Sequence, residues 1–256
     1  MINAGDMLSS PSTSCLVQAR QERWFGLWRI RKKLLELIKA IPRHGDVFFS
    51  QEGEDMLLRR HFGGKECGFY VDVGAHDPCR FSNTYWFYRR GWRGINIDPL
   101  PGVMVSFAKL RPRDINLELA MSSHSQNLTY YMFNEPALNT FDPLLAHNRD
   151  GKQGNRIVSE NVLVTRSLKS VFGEYLPEGQ RIDFLTVDVE GCDLDVLRSN
   201  DWTVYRPEVV LAEDVNAVDI KQALEGNVTL YMANVGYVLV AKTVNTLFYR
   251  DASVRT

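Results

Sequence analysis

No stretch of this 256-residue sequence comes near the run of about 20 apolar residues that a bilayer-spanning helix needs. No transmembrane helix is therefore expected. The first twenty residues, MINAGDMLSSPSTSCLVQAR, have neither a basic start nor a continuous apolar core, which argues against a secretory signal. Cysteine is scarce: Cys15, Cys67, Cys79 and Cys192 stand far apart with no CxxC pair. That spacing excludes a disulfide framework or a zinc finger and favours a reducing, cytoplasmic setting. Neither sign of charge prevails, with 30 basic and 31 acidic side chains. A net charge of −1 lacks the basic footprint of a general nucleic-acid binder. The Asp-Pro-Pro-Tyr type of tetrapeptide that handles a flipped base is missing too. Internal repeats and low-complexity tracts are absent.

What is present suits one large domain, or one domain with an appendage, and 45% apolar residues suffice for a core without staples. The appendage is residues 1–44. Between Arg20 and Arg43 lie eight basic and two acidic residues, and Trp24, Leu27, Ile30, Leu34, Leu37 and Ile41 recur at helical spacing up to Pro42. This basic amphipathic helix suits peripheral contact with the anionic inner face of a membrane or with an acidic partner, or simply packing on the domain with its charges in water. Residues 45–256 form the main domain.

Strand-like and helix-like segments alternate through it. Strands are expected at 69–75, 94–99, 115–121, 160–166, 182–191 and 207–214, and helices at 82–91, 103–110, 167–176, 193–200 and 220–235. Two closing runs, 237–243 and 245–251, pair as an antiparallel hairpin. The expected fold is α/β: a seven-stranded, mainly parallel, Rossmann-like sheet with helices on both faces. An insertion at about 124–160 interrupts it, with a hairpin arm at 126–133 and a long polar loop at 134–156 carrying about one helical turn.

Ligands of such sheets bind beyond the carboxyl ends of the strands. The first strand ends Asp72-Val73-Gly74-Ala75-His76-Asp77, and Asp98 ends the second, 24 residues after Gly74. A carboxylate at that distance is placed to accept both hydrogen bonds of a ribose diol. A dinucleotide would need two more glycines after Gly74 to cradle its pyrophosphate, and Ala75, His76, Asp77 and Pro78 stand there instead. S-adenosylmethionine fits better, since its amino group and sulfonium are positive.

These residues resemble the FkbM-type S-adenosylmethionine-dependent methyltransferases, which mostly modify hydroxyls of sugars and natural products. The carriers are SQEGED (50–55), YVDVGAHDP (70–78), FSNTYWF (81–87), GWRGINIDPLP (91–101), LAMSS (119–123), IDFLTVDVEGCDLDVL (182–197) and GYVLVAKTVNTLFY (236–249). Asp98 stands where the family often has Glu, and Thr186 where it usually has Lys. The resemblance implies the class I methyltransferase fold. It also implies that Asp72, Gly74 and His76 line the methionine end of the cofactor, that Asp98 holds the ribose, and that Met121 and Ser122 edge the adenine. Gln51, Ser82 and Asn83 are further cofactor candidates, with helix capping as the other reading of Ser50 and Asn83.

For the chemistry, alternation on a strand points Asp188 and Glu190 the same way near its carboxyl end, where either could take or orient a hydroxyl proton. Glu213 and Asp214 end the next strand, and Asp188, Glu213 and Asp214 could together hold Mg²⁺, or be surface acids paired with Arg206 and Lys221. His124 and His147 offer an alternative base, or are solvated loop residues. The insertion from Asn134 to Asn155, flanked by Phe133 and containing Phe141, would recognise a sugar or polysaccharide acceptor, or act as a lid without contact. The expected function is O-methylation of such an acceptor. A non-catalytic glycan- or partner-binding module and a nicotinamide-dependent oxidoreductase are the competing classes.

Overall fold

The computed structural model describes residues 45–254. The basic helix expected between Arg20 and Arg43 lies outside them. From Phe48 onward the chain packs as one compact unit, and no helix among the described residues is long and apolar enough to cross a membrane.

Its frame is a seven-stranded sheet in the order β3-β2-β1-β7-β8-β10-β9. Strands β1 (Phe69–Val73), β2 (Arg93–Asp98), β3 (Ile115–Glu118), β7 (Phe184–Val187) and β8 (Val209–Glu213) run parallel. β9 (Tyr237–Lys242) and β10 (Thr246–Asp251) close the edge as the expected antiparallel hairpin. Continuous apolar strands are what a sheet buried on both faces requires. β1 is buried along its whole length, and its residues sort by parity. Phe69, Val71 and Val73 join the larger core with α5 (Leu168–Tyr175), α6 (Asp193–Arg198) and α8 (Asn227–Asn234). Tyr70 faces the other way, into an aromatic core with Leu58 and Phe62 at α1 (Glu54–His61) and Phe87 of α2 (Tyr85–Arg89). There Phe87 meets Trp92 and Phe184 at ring-centroid distances of 4.8 and 5.0 Å.

Beneath α3 (Val103–Leu110) this second face holds a buried cation. Arg111 is fully enclosed and donates to Asp114 at 2.9 Å, to Tyr70 Oη at 2.8 Å and to Thr84 Oγ1 at 2.9 Å. Thr84 in turn donates to Asp72 at 2.7 Å. The charge is thus distributed over β1, the start of α2 and the loop after α3.

Four segments differ from the sequence expectation. The third strand breaks at Leu119, whose N–H turns back to Leu117 C=O (3.1 Å). Ala120–Met121 (β4) then leaves the main sheet and pairs with β6 (Ile157–Arg166). β6 also pairs antiparallel with β5 (Asn127–Phe133), so the run expected at 160–166 belongs to a separate three-stranded sheet. Its alternating half-exposed pattern suits a sheet with one wet side, not a doubly covered one. The polar loop is ordered by a 3₁₀ turn at Pro136–Leu138 and by helix α4 (Pro143–Arg149), where Asp142 accepts from the N–H groups of Leu144 and Leu145 and Pro143 opens the first turn. The last long helix divides at Gly226 into α7 (Ile220–Glu225) and α8.

Replacing Arg111 by Met should cost about 3–5 kcal/mol in urea unfolding, because Asp114 is left buried without its partner. A loss below about 1 kcal/mol would show that the network carries no weight.

Candidate active site

The carboxyl ends of β1, β2 and β7 meet in one cleft. At its centre Gly74 (φ +85°) passes so close to β7 that a Cβ there would lie 1.7 Å from the Asp188 carbonyl oxygen. Only glycine permits this approach. The cleft wall includes Gln51, Gly74, His76, Asp98 and Met121. Asp188 and Glu190 complete its polar side. Tyr130 and Phe141, tilted against each other at 4.7 Å between centroids, wall it from the insertion. Among the described residues, no lysine or arginine lines it. Three of the four non-glycine residues with positive φ among the described residues, His76, Phe81 and Glu190, are in this wall. Strain of that kind persists where surrounding structure enforces it, commonly at functional sites.

Asp98 is buried at the tip of β2, and each of its oxygens accepts one backbone N–H, from His76 at 2.9 Å and from Leu100 at 2.8 Å. Those bonds fix the carboxylate and leave lone pairs for a ligand, while burial raises its pKa.

β7 stops at Val187. Asp188 and Glu190 therefore do not share a strand face, which corrects the expectation drawn from alternation. They converge because the chain turns: Glu190 adopts φ 53°, and its C=O is held by Thr140 Oγ1 at 2.7 Å. Carboxylate oxygens of Asp188, Glu190 and Glu213 come within 4.8 Å of one another. Asp188 is open to the cleft but sits on its floor. Enclosure by protein, then Glu213 and Glu190, push its pKa well above the usual carboxylate range. Burial and the neighbouring Glu190 and Asp193 carboxylates push Glu213 up to about 8. Burial raises Glu190 as well, opposed by the Arg149 guanidinium 2.6 Å away. Crowding thus raises all three carboxyl groups together.

Other expected residues fall elsewhere. Asp72 is not in the cleft wall; it is buried against Thr84, and burial raises its pKa to about 6. Ser82 accepts from the N–H groups of Thr84 and Tyr85 and so shapes the start of α2. Ser50 and Asp55 bond each other at the start of α1. Asn83 donates to Thr186 Oγ1 at 3.0 Å and, with Glu213, lines a small recess that also touches Gln51 and Asp188. Ser122 is buried, accepting from Gln126. Asp214 does not join the acidic cluster: next to Glu213 in the chain, it turns to the Asn216 N–H, and Glu190 takes its place. His124 and His147 are exposed and outside the cleft wall. Sequence reasoning missed Arg149 and Thr140, whose grip on Glu190 spans 41 and 50 residues, and Tyr130, whose only signal was its strand-like surroundings.

The family described as methyltransferase FkbM domain matches residues 72–239, a span that holds Gly74, Asp98, Asp188 and Glu213. The chain belongs to this family. This FkbM-domain methyltransferase has no match among curated proteins. The match runs from the end of β1 through β2, the insertion, β7 and β8.

Carboxyl groups with a folded pKa above the unfolded one bind extra protons when folded, so stability falls as pH rises between the two values. For Asp72 the window is 3.8 to about 6, and for Glu213 it is 4.5 to about 8. Thermal unfolding should show a falling melting temperature from pH 5 to pH 8. Glu213→Gln should flatten the upper part of that fall and stabilise the protein at pH 8 by on the order of 1 kcal/mol or more. A melting temperature that rises over this range would contradict the assignment.

Proposed function

We propose that this methyltransferase uses S-adenosylmethionine and transfers its methyl group to a hydroxyl of a sugar, polysaccharide or related natural product. The observation that carries the reading is a single cleft joining Asp98 to Asp188 and Glu190 with no lysine or arginine among the described residues of its wall. The donor set fits the cofactor. Asp98 has free lone pairs for a ribose diol, Met121, Leu100 and Phe141 supply an apolar slot for a purine, and the acids suit a cation. A nicotinamide dinucleotide fits poorly, because its pyrophosphate would meet carboxylates.

When bound, the sulfonium cofactor supplies an electrophilic methyl. The work of the chain is to align an acceptor hydroxyl with that methyl and to take its proton. Asp98 and the apolar slot would hold that cofactor, whose methyl would leave sulfur for the acceptor oxygen while the chain disposes of the hydroxyl proton. Asp188, on the cleft floor, accepts the hydroxyl proton. Its exposure to the cleft places it to take or orient that proton. Arg149, paired with Glu190, limits the negative charge that this corner must hold.

Calorimetry should show S-adenosylmethionine binding that weakens about 10-fold or more in Asp98→Ala, in keeping with charge-assisted hydrogen bonds of about 1.5–3 kcal/mol. Binding unchanged in that variant would remove Asp98 from the site. Asp188→Asn should keep cofactor affinity and lose about 10²–10⁴ in turnover, measured as methyl groups added to glycans by mass spectrometry. Retained turnover would assign the base elsewhere.

A second reading places Mg²⁺ on Asp188, Glu190 and Glu213, and the convergence of their oxygens favours it. Because Arg149 already occupies Glu190, we expect turnover to survive EDTA. Loss of turnover restored by added Mg²⁺ would establish the metal.

A further inference from the structure

Beyond the turn that carries Asp188 and Glu190, a second hollow opens between the end of β8 and helices α7 and α8. Four carboxylates line it, Asp193, Glu213, Asp214 and Glu225, with the amides of Asn216 and Asn227 among them and no lysine or arginine. Glu213 belongs to both sites, since its carboxylate also stands within 4.8 Å of those of Asp188 and Glu190. The hollow therefore adjoins the acidic corner of the cleft through Glu213.

Asp193 is the independent sign that something polar is to be received there. It is only 3% exposed, lines the hollow, and its Oδ1 has no hydrogen-bond partner. Its Oδ2 accepts from the Gly191 N–H at 3.3 Å. A carboxylate buried with an orphaned oxygen is unfavourable, and a donor arriving with a ligand relieves it. With three further carboxylates beside it and no lysine or arginine among the described residues of the lining, a cation is the partner that most improves its state.

We propose that this hollow is the acceptor subsite and that it selects acceptors bearing a protonated amine, an amino sugar or amine-carrying natural product, with the ammonium at Asp193 and the reactive hydroxyl toward Asp188. The inference rests on the methyl-transfer reading above. A neutral acceptor of the same shape leaves Asp193 unpaired, and an anionic one such as a uronic acid meets four carboxylates.

The test compares a glucosamine tetrasaccharide with its N-acetylated counterpart by calorimetry on the full chain at pH 7. Affinity for S-adenosylmethionine is measured alongside. The amine form should bind about 10-fold tighter or more. Glu225→Gln and Asp193→Asn should each shrink that preference while leaving cofactor affinity unchanged, which also reports that the variants are folded. Equal affinity for the two sugars, no binding of either, or a preference that persists in both variants would overturn the inference with the cofactor reading intact. Failure to bind S-adenosylmethionine would instead sink the methyl-transfer reading on which it rests.

Discussion

A side chain at residue 74 would stand 1.7 Å from the Asp188 carbonyl oxygen, so the ends of β1 and β7 come together only because that residue is glycine. Everything in the cleft follows from this contact. It lets the loop after β1 turn under Asp98, with the His76 N–H delivered to that carboxylate at 2.9 Å. It also sets Asp188 on the cleft floor, one residue past the last pairing of β7 with β1.

The contact brings together groups that repel one another. Asp188, Glu190 and Glu213 crowd within 4.8 Å, and Asp193 lies buried behind them with an orphaned oxygen. The protein offsets part of this with Arg149, and the remainder appears as raised pKa values, about 8 for Glu213. A site in that condition favours cations, and the linings agree: among the described residues, neither the cleft wall nor the adjoining hollow has a lysine or arginine. Stability is surrendered locally so that positive ligands are drawn in. The buried Arg111 network on the opposite face, where hydrogen bonds satisfy the charge fully, shows the contrasting structural use of the same residue types.

The parallel strands were legible because sheets buried on both faces are written as continuous apolar runs, as in FYVDV and FLTV. Gly74 and Asp98 could be found for a related reason: strand ends are visible, and ligands of open sheets bind there. Where the sequence misled, local patterns were overridden from a distance. LAM reads as the continuation of a strand, yet its last two residues pair with β6, far along the chain. Alternation suggested that Asp188 and Glu190 share a face. They meet because Thr140 and Arg149, from the insertion, pull Glu190 into a left-handed turn. Asp214 lost its expected place by simple parity with Glu213. None of these tertiary contacts leaves a periodic trace, whereas the Asp142-Pro143 cap of α4 did, inside the segment expected to be loop.

Diffraction from crystals grown with S-adenosylhomocysteine is the most direct measurement of the central claim that one cleft grips the donor between the tips of β2 and β7. The account predicts ribose hydroxyls on the Asp98 carboxylate and the sulfur facing Asp188 across the Gly74 turn. Density for the nucleoside at any other place on the sheet, with Asp98 still bonded only to His76 and Leu100, would contradict it.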